Sequence, residues 1–312
     1  MHTPDGSDTR ILLAGSSGFI GGAIRRALQR RGAEPRLLLR RPSADAAPQA
    51  SGDLTDAGSL RGCCEGIETL IHAASAVDAD EARCQAVNVE GTRNLLQEAR
   101  RAGVSRVIYL STAAVYGEGA HRDLREDELQ PAPVSATSRT RLQAEQLVLQ
   151  AGGVVLRPFL VYGDGDRWFI PALVGLLRRY PVTLEGGAAQ LSLVAVDDLA
   201  ESVAALALEA RDEDRGRVYH VGPERPVALR ELLAVLHRQG LAPATQADLP
   251  YAQAVEATRT LGSAVARQLS LIAFDHVYDS QALRSRTGVR PAAFAEGFAR
   301  YAEAYARALA SG

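Results

Sequence analysis

Residues 10–14 are a short apolar run that ends in a glycine-rich turn, and residues 19–31 carry apolar positions at helical spacing. The chain therefore opens as strand, turn and helix. Residues 36–39, 69–73 and 106–110 read as further strands, with a helical stretch over 81–101 between the last two. Helical periodicity resumes over 138–151, and 154–156 form another buried strand ahead of Arg157 and Pro158. Alternation of this kind predicts an α/β fold built on a doubly wound parallel sheet covered on both faces. We place the sheet domain at 10–156, with the last strands and helices partly returning from the C-terminal half, and a smaller C-terminal α/β lobe at 157–310. In that lobe the pattern predicts helices near 170–179, 198–210, 229–239 and 292–310, and short strands near Val182 and Tyr219. Such a lobe is expected over the carboxyl ends of the strands, where open α/β sheets bind ligands. The Ala- and Pro-rich stretch 43–52 reads as a surface loop.

Composition narrows the function. With 46% hydrophobic residues the chain can bury a substantial core, and a net charge of −2 leaves no basic face for nucleic acid or an anionic membrane. No apolar run reaches membrane-spanning length. Residues 1–9 lack a charged region leading into an apolar one, so the cytoplasm is the expected compartment. Cys63, Cys64 and Cys84 fit neither a disulfide framework nor a zinc spacing, and no metal is expected. The 35 basic residues are all arginine, so no lysine amine is available for Schiff-base chemistry or a titrating proton relay.

Gly15, Gly18 and Gly21 stand at a strand-to-helix turn spaced G-x-x-G-x-x-G, with Ser17 inside it and Phe19 and Ile20 opening the helix. Gly15 permits the tight turn, Gly18 lets the backbone approach a pyrophosphate, and Gly21 lets helix and strand pack closely. Further segments follow in order: Gly52-Asp53-Leu54, His72-Ala73-Ala74, Asn88-Val89 through Gly91-Thr92, Tyr109-Leu110-Ser111-Thr112-Ala113-Ala114-Val115-Tyr116-Gly117, Arg157-Pro158-Phe159, Val161-Tyr162-Gly163, Val196-Asp197-Asp198 and Tyr219-His220-Val221-Gly222. Together they make a chain that resembles the extended short-chain dehydrogenases/reductases of the epimerase and dehydratase type, over about residues 10–300. The resemblance implies a Rossmann-like fold and a nicotinamide dinucleotide. It further implies that Asp53 and Leu54 hold the adenine, that Ala73 and Ala74 line the ribose and pyrophosphate path, that Ser111 borders the cofactor, and that Pro158 lies near the nicotinamide. Where an NAD enzyme of this type ends its second strand with an acid, this chain has Arg40 and Arg41, a pair suited to a 2′-phosphate. NADP(H) is the expected cofactor.

The chain departs from the family where the chemistry lies. Thr112 fills the position of the catalytic hydroxyl, but Thr137 and Arg141 stand where the family has a tyrosine and, four residues on, a lysine. A threonine hydroxyl cannot exchange a proton near neutrality as that tyrosine does. Ala113 and Ala114 replace the Asp-Glu pair of the sugar-nucleotide dehydratases, which speaks against water elimination. Leu160 and Leu191 replace polar residues that cradle a nucleotide-sugar diphosphate, which speaks against that substrate. Trp168 and Phe169 suit stacking on a flat substrate or burial in the core of the lobe. His72, Tyr116 and Tyr162 match positions that the resemblance assigns to positioning and packing, and Asp197 and Asp198 suit the start of a helix.

These readings point to an atypical NADPH-dependent ketoreductase acting on an apolar, aromatic or polyketide-type ketone, and the pattern is similar to that of the angucyclinone (simocyclinone-type) ketoreductases. Thr112, Arg141 and Thr137 are its catalytic candidates, Arg141 is also a candidate to hold the nicotinamide ribose of the cofactor, and Thr112, Ala113, Ala114, Leu160, Trp168 and Leu191 are its substrate-binding candidates. The proton would come from the substrate or from water. The alternatives are a non-catalytic NADP(H)-binding sensor or scaffold and, with acid and base groups still to be found, an epimerase. A monomer or a homodimer is expected.

Overall fold

The computed structural model describes residues 10–44 and 47–310. Its main sheet has seven strands. The first five are β1 (Ile11–Ala14), β2 (Arg36–Leu39), β3 (Gln49–Ser51), β4 (Thr69–His72) and β5 (Arg106–Leu110). The spatial order is Val218–Val221, Val154–Pro158, β5, β4, β1, β2, β3, and the pairs from Val154–Pro158 to β3 are all parallel. All four residues of β1 and of β4 are buried, as are all five of Val154–Pro158. Strands covered on both faces carry no polar alternation, which is why they appear in the sequence as unbroken apolar runs.

The winding direction reverses between β1 and β4. From β1 the chain builds outward through β2 and β3, then crosses back to lay β4 on the other side of β1. Such a reversal opens a crevice at the carboxyl ends of the two strands. Helix α1 (Phe19–Arg30) follows β1 immediately and buries Ala23, Ile24, Ala27 and Leu28. Helix 81–101 is continuous but changes pitch: Glu81–Cys84 and Gly91–Arg101 are α-helical, and Gln85–Glu90 between them is a π-helical turn. Turns of this type often mark functional positions.

The chain divides into two compact units. One comprises Pro131–Arg157 and Leu199–Tyr219 together with the segment up to Gly117, and the other comprises Glu118–Gln130, Pro158–Asp198 and the segment from His220 onward. The second unit holds a four-stranded sheet ordered Val227–Ala228, Gln190–Leu191, His276–Tyr278, His121–Leu124. Its core gathers Leu173, Leu193, Leu232, Leu236 and Phe298.

Four expectations are corrected. The helix near 198–210 and the strand at Tyr219 were expected in the smaller lobe, but the helix Val196–Leu208 belongs from Leu199 onward to the unit of the main sheet, and the strand is Val218–Val221 at the edge of that sheet. Within 43–52, Gln49–Ser51 is a strand that pairs Leu37 with Gln49 and Leu39 with Ser51. Being short and incompletely buried, it shows no apolar run. The helix expected over 292–310 is two helices, Phe294–Ala299 and Ala302–Ala310. Among the described residues no helix is long and apolar enough to cross a membrane.

Candidate cofactor cleft and active site

The crevice between β1 and β4 is shaped by residues without side chains. Gly15 has φ +91°, and a Cβ there would lie 2.5 Å from the Ala74 nitrogen, so the turn after β1 and the end of β4 touch through backbone alone. A Cβ on Gly21 would overlap the Gly15 carbonyl oxygen, which fixes how closely α1 descends onto the turn. Gly18 caps α1 without a side-chain hydrogen bond, and no acidic residue stands in the first turn. The helix therefore presents its N-terminal N–H groups and positive dipole end uncompensated.

A cleft of about 350 Å³ opens at this point. The turn residues Gly15, Ser17 and Gly18 line it together with Arg40, Asp53, Leu54, Ala73 and Ala74, all of them sequence candidates. Asp53 accepts from the backbone N–H and hydroxyl of Thr55 (2.9 and 2.8 Å), and these bonds, with Arg40 nearby, hold its carboxyl below the usual range. It stays ionised and fixed. Beside the cleft, a second groove is lined by Ser16, Arg25, Arg40, Arg41 and Ser43 among others. Ser16, Arg25 and Ser43 were not among the sequence candidates. Arg25 sits seven residues after Gly18, on the face of α1 below the cap, and that spacing was the available signal.

Arg141 lies on helix Ala136–Gln150 and reaches the strand ends. Its Nε donates to the Ser75 hydroxyl at 2.9 Å, and its Nη1 donates to the Ser111 carbonyl at 3.3 Å. Thr112 follows Ser111 and is half-buried; its Oγ1 accepts from the Ala114 N–H at 3.1 Å, a bond that does not use its own proton. The structure thus brings Arg141, Ser111 and Thr112 together. Thr137 is directed elsewhere: its hydroxyl accepts from the Asp78 N–H (3.3 Å) and donates to the Asp78 carbonyl (3.2 Å), pinning the loop after β4.

Ser75 belongs to a buried network. Its hydroxyl donates to Asn88 Oδ1 at 3.2 Å, and Asn88 also takes the Ala76 N–H at 2.7 Å and gives its amide to Thr140 at 3.0 Å. The π-helical turn carries Asn88 into this position. His72, 1% exposed, contacts the Thr92 hydroxyl through Nε2 at 2.9 Å, while the single proton of that hydroxyl goes to the Asn88 carbonyl at 2.6 Å. His72 is therefore the donor, with Nδ1 bare. Burial, helped by the charge of Arg141, pushes its pKa down to about 4, so it is neutral and positions Thr92 and Asn88.

The three tyrosines among the described residues of the first unit are all buried. Tyr109 is buried, and burial raises its phenol above the usual range. The Tyr116 hydroxyl accepts from Arg157 at 2.8 Å, and Tyr219 donates to Asp214 at 2.9 Å. In the second unit, Leu160 and Leu191 are packed in the apolar core, as is Phe169, whereas Trp168 is 66% exposed. Pro158 ends its strand, buried, and Ala113 is buried where Ala114 is partly open. Asp197 and Asp198 stand in the first turn of Val196–Leu208, and Asp197 accepts from the Tyr301 hydroxyl at 2.7 Å. Among the described residues no group of His, Cys, Asp and Glu is arranged to hold a metal.

The model of the NAD dependent epimerase/dehydratase family matches residues 11–222. The chain belongs to this family. It is an oxidoreductase of the extended short-chain dehydrogenase/reductase type. A relative from Stigmatella aurantiaca, 4-hydroxy-2-methyl-3-oxo-4-farnesyl-3,4-dihydroquinoline-1-oxide ketoreductase, is 33% identical over 278 residues, 83% of this chain and 81% of that protein. The 2-alkyl-3-oxoalkanoate reductase of Stenotrophomonas maltophilia (strain K279a) is 30% identical over 246 residues, 72% of this chain and 73% of that protein. Among solved structures, DesIV, a dTDP-glucose 4,6-dehydratase from Streptomyces venezuelae with NAD and TYD bound, superposes with a TM-score of 0.75 at 23% identity, covering 96% of this chain and 97% of that one. That likeness concerns the fold.

Proposed function

We propose that the protein is an NADPH-dependent ketoreductase for an apolar aromatic or polyketide-type ketone, with a fixed arginine and a threonine in place of the usual tyrosine acid. The observation that carries this reading is the anchoring of Arg141 on Ser75 and the Ser111 carbonyl, next in the chain to Thr112. The names of both relatives carry a 3-oxo group, which favours a ketone as the group reduced.

The cleft suits a dinucleotide: Gly15 and Gly21 clear the backbone approach, α1 offers N–H donors to a diphosphate, and Leu54 and Asp53 border the adenine end. When bound, the reduced nicotinamide supplies a hydride. Thr112 donates its hydroxyl proton as a hydrogen bond to the ketone oxygen. The Arg141 guanidinium stabilises negative charge as it develops there, as a hydrogen-bond donor rather than an acid. The proton then comes from water or from an acidic hydroxyl of the substrate. The test is an NADPH-consumption assay on an aryl ketone with an adjacent phenol and on its O-methyl ether. The phenol is expected to turn over faster. An ether that reacts equally well after allowance for fit removes substrate assistance, and consumption with neither compound nor other aryl ketones overturns the ketoreductase reading.

The preference for NADPH is supported by the groove in which three guanidinium groups, Arg25, Arg40 and Arg41, stand with the hydroxyls of Ser16 and Ser43. A charge-assisted contact to a 2′-phosphate contributes about 1.5 to 3 kcal/mol. Arg40→Asp is expected to weaken NADPH binding at least about tenfold in a fluorescence titration and to leave NADH little changed. Equal losses for the two would defeat the assignment.

A further inference from the structure

One face of helix 81–101 runs along the cofactor cleft. Asn94 donates its amide to the Leu54 carbonyl at 2.9 Å, and Gly91 packs so closely that a Cβ there would lie 2.8 Å from the Leu54 Cβ. Four residues before Gly91, Val87 lines the cleft, and four before that, so does Arg83. Arg83 therefore lies about two turns back along the helix from Gly91, across the π-helical turn. The face passes from Leu54 to the Arg83 guanidinium along the cleft.

The charges lining the cleft give that guanidinium a task. Arg40 and Arg83 are the cationic residues among those that line it, and Arg40 stands near the carboxylate of Asp53. A dinucleotide brings two negative charges in its diphosphate, against which the end of α1 sets only about half a positive charge. Arg83 is held at the cleft by an ion pair to Asp78 at 3.1 Å, with its side chain 65% exposed. An exposed pair of this kind is weak and readily exchanged for another anion.

We propose that Arg83 is a diphosphate-binding residue, which leaves Asp78 and donates to the diphosphate oxygens when the dinucleotide enters. The proposal rests on the dinucleotide reading above, but not on the choice between NADP(H) and NAD(H). It is tested by equilibrium binding of NADPH, NADH, ADP-ribose and adenosine to the full chain, with thermal melting to confirm folding of each variant. Arg83→Gln is expected to weaken the three diphosphate ligands alike, about tenfold, to leave adenosine unchanged, and to flatten the salt dependence of binding. Arg83→Lys should recover part of the loss, and Asp78→Asn should leave affinity unchanged or tighter. Unchanged affinities in Arg83→Gln, a loss confined to NADPH, or a loss in Asp78→Asn as large as that in Arg83→Gln would each overturn the assignment. If the parent protein binds none of the three diphosphate ligands, the cofactor reading itself fails, and this proposal with it.

Discussion

Glu145→Ala is expected to destabilise the protein by about 3 to 5 kcal/mol, the cost of leaving a buried charge without its partner. Glu145 is fully buried on helix Ala136–Gln150, and the side chain of Arg157 is 6% exposed. The guanidinium gives Nε to both carboxylate oxygens at 3.1 Å, adds an Nη2 bond to Oε2, passes Nη1 to the Tyr116 hydroxyl at 2.8 Å and lies 5.0 Å from the centroid of that ring. One ion pair thus ties a sheet strand, a helix and the short turn Ala113–Tyr116 that follows Thr112. Urea unfolding of Glu145→Ala and of the double variant Glu145→Leu, Arg157→Met measures it. The double variant should recover most of the loss, because it removes both charges and keeps apolar volume. A single variant within about 1 kcal/mol of the parent would show that the pair contributes little to holding the active-site turn.

The second large effect concerns turnover. Thr112→Val preserves the shape of the side chain, removes its acceptor for the Ala114 N–H and removes the hydroxyl proposed as donor to the ketone. The loss of one oxyanion donor lowers kcat by about 10- to 1000-fold. Loss of the cap lowers stability by about 1 kcal/mol, a separate quantity read from melting. Thr112→Ser keeps both bonds and should keep most of the rate, and the Kd for NADPH should be unchanged in either variant. Valine turnover equal to that of the parent would mean that the ketone binds away from Thr112.

The central strands were legible because β1, β4 and Val154–Pro158 are buried along their whole length, so burial wrote itself into consecutive apolar residues. The glycine turn was legible because its spacing reflects steric limits at Gly15 and Gly21. Other features were hidden for physical reasons. Gln49–Ser51 is held by its pairing with β2 and by nothing in its own composition. The π-helical turn at Gln85–Glu90 carries Asn88, whose tertiary bonds local pattern cannot foresee. Arg25 and Arg83 are arginines on helices in a chain where arginine is the only basic residue apart from histidine, so neither stands out until the fold carries it to a ligand groove. Thr137 aligns with the family tyrosine in sequence, yet its bonds to Asp78 describe a staple rather than an acid.

That staple bears on how such an enzyme could be given the tyrosine and lysine of its family. Introducing tyrosine at 137 releases both backbone bonds to Asp78, and introducing lysine at 141 gives up the two-point grip on Ser75 and Ser111. Each step taken alone discards something the present arrangement uses before its partner is there to compensate. The two positions are coupled through the loop that holds Ser75 and Asp78, and a designer introducing the tyrosine and lysine would have to rebuild that loop in the same move.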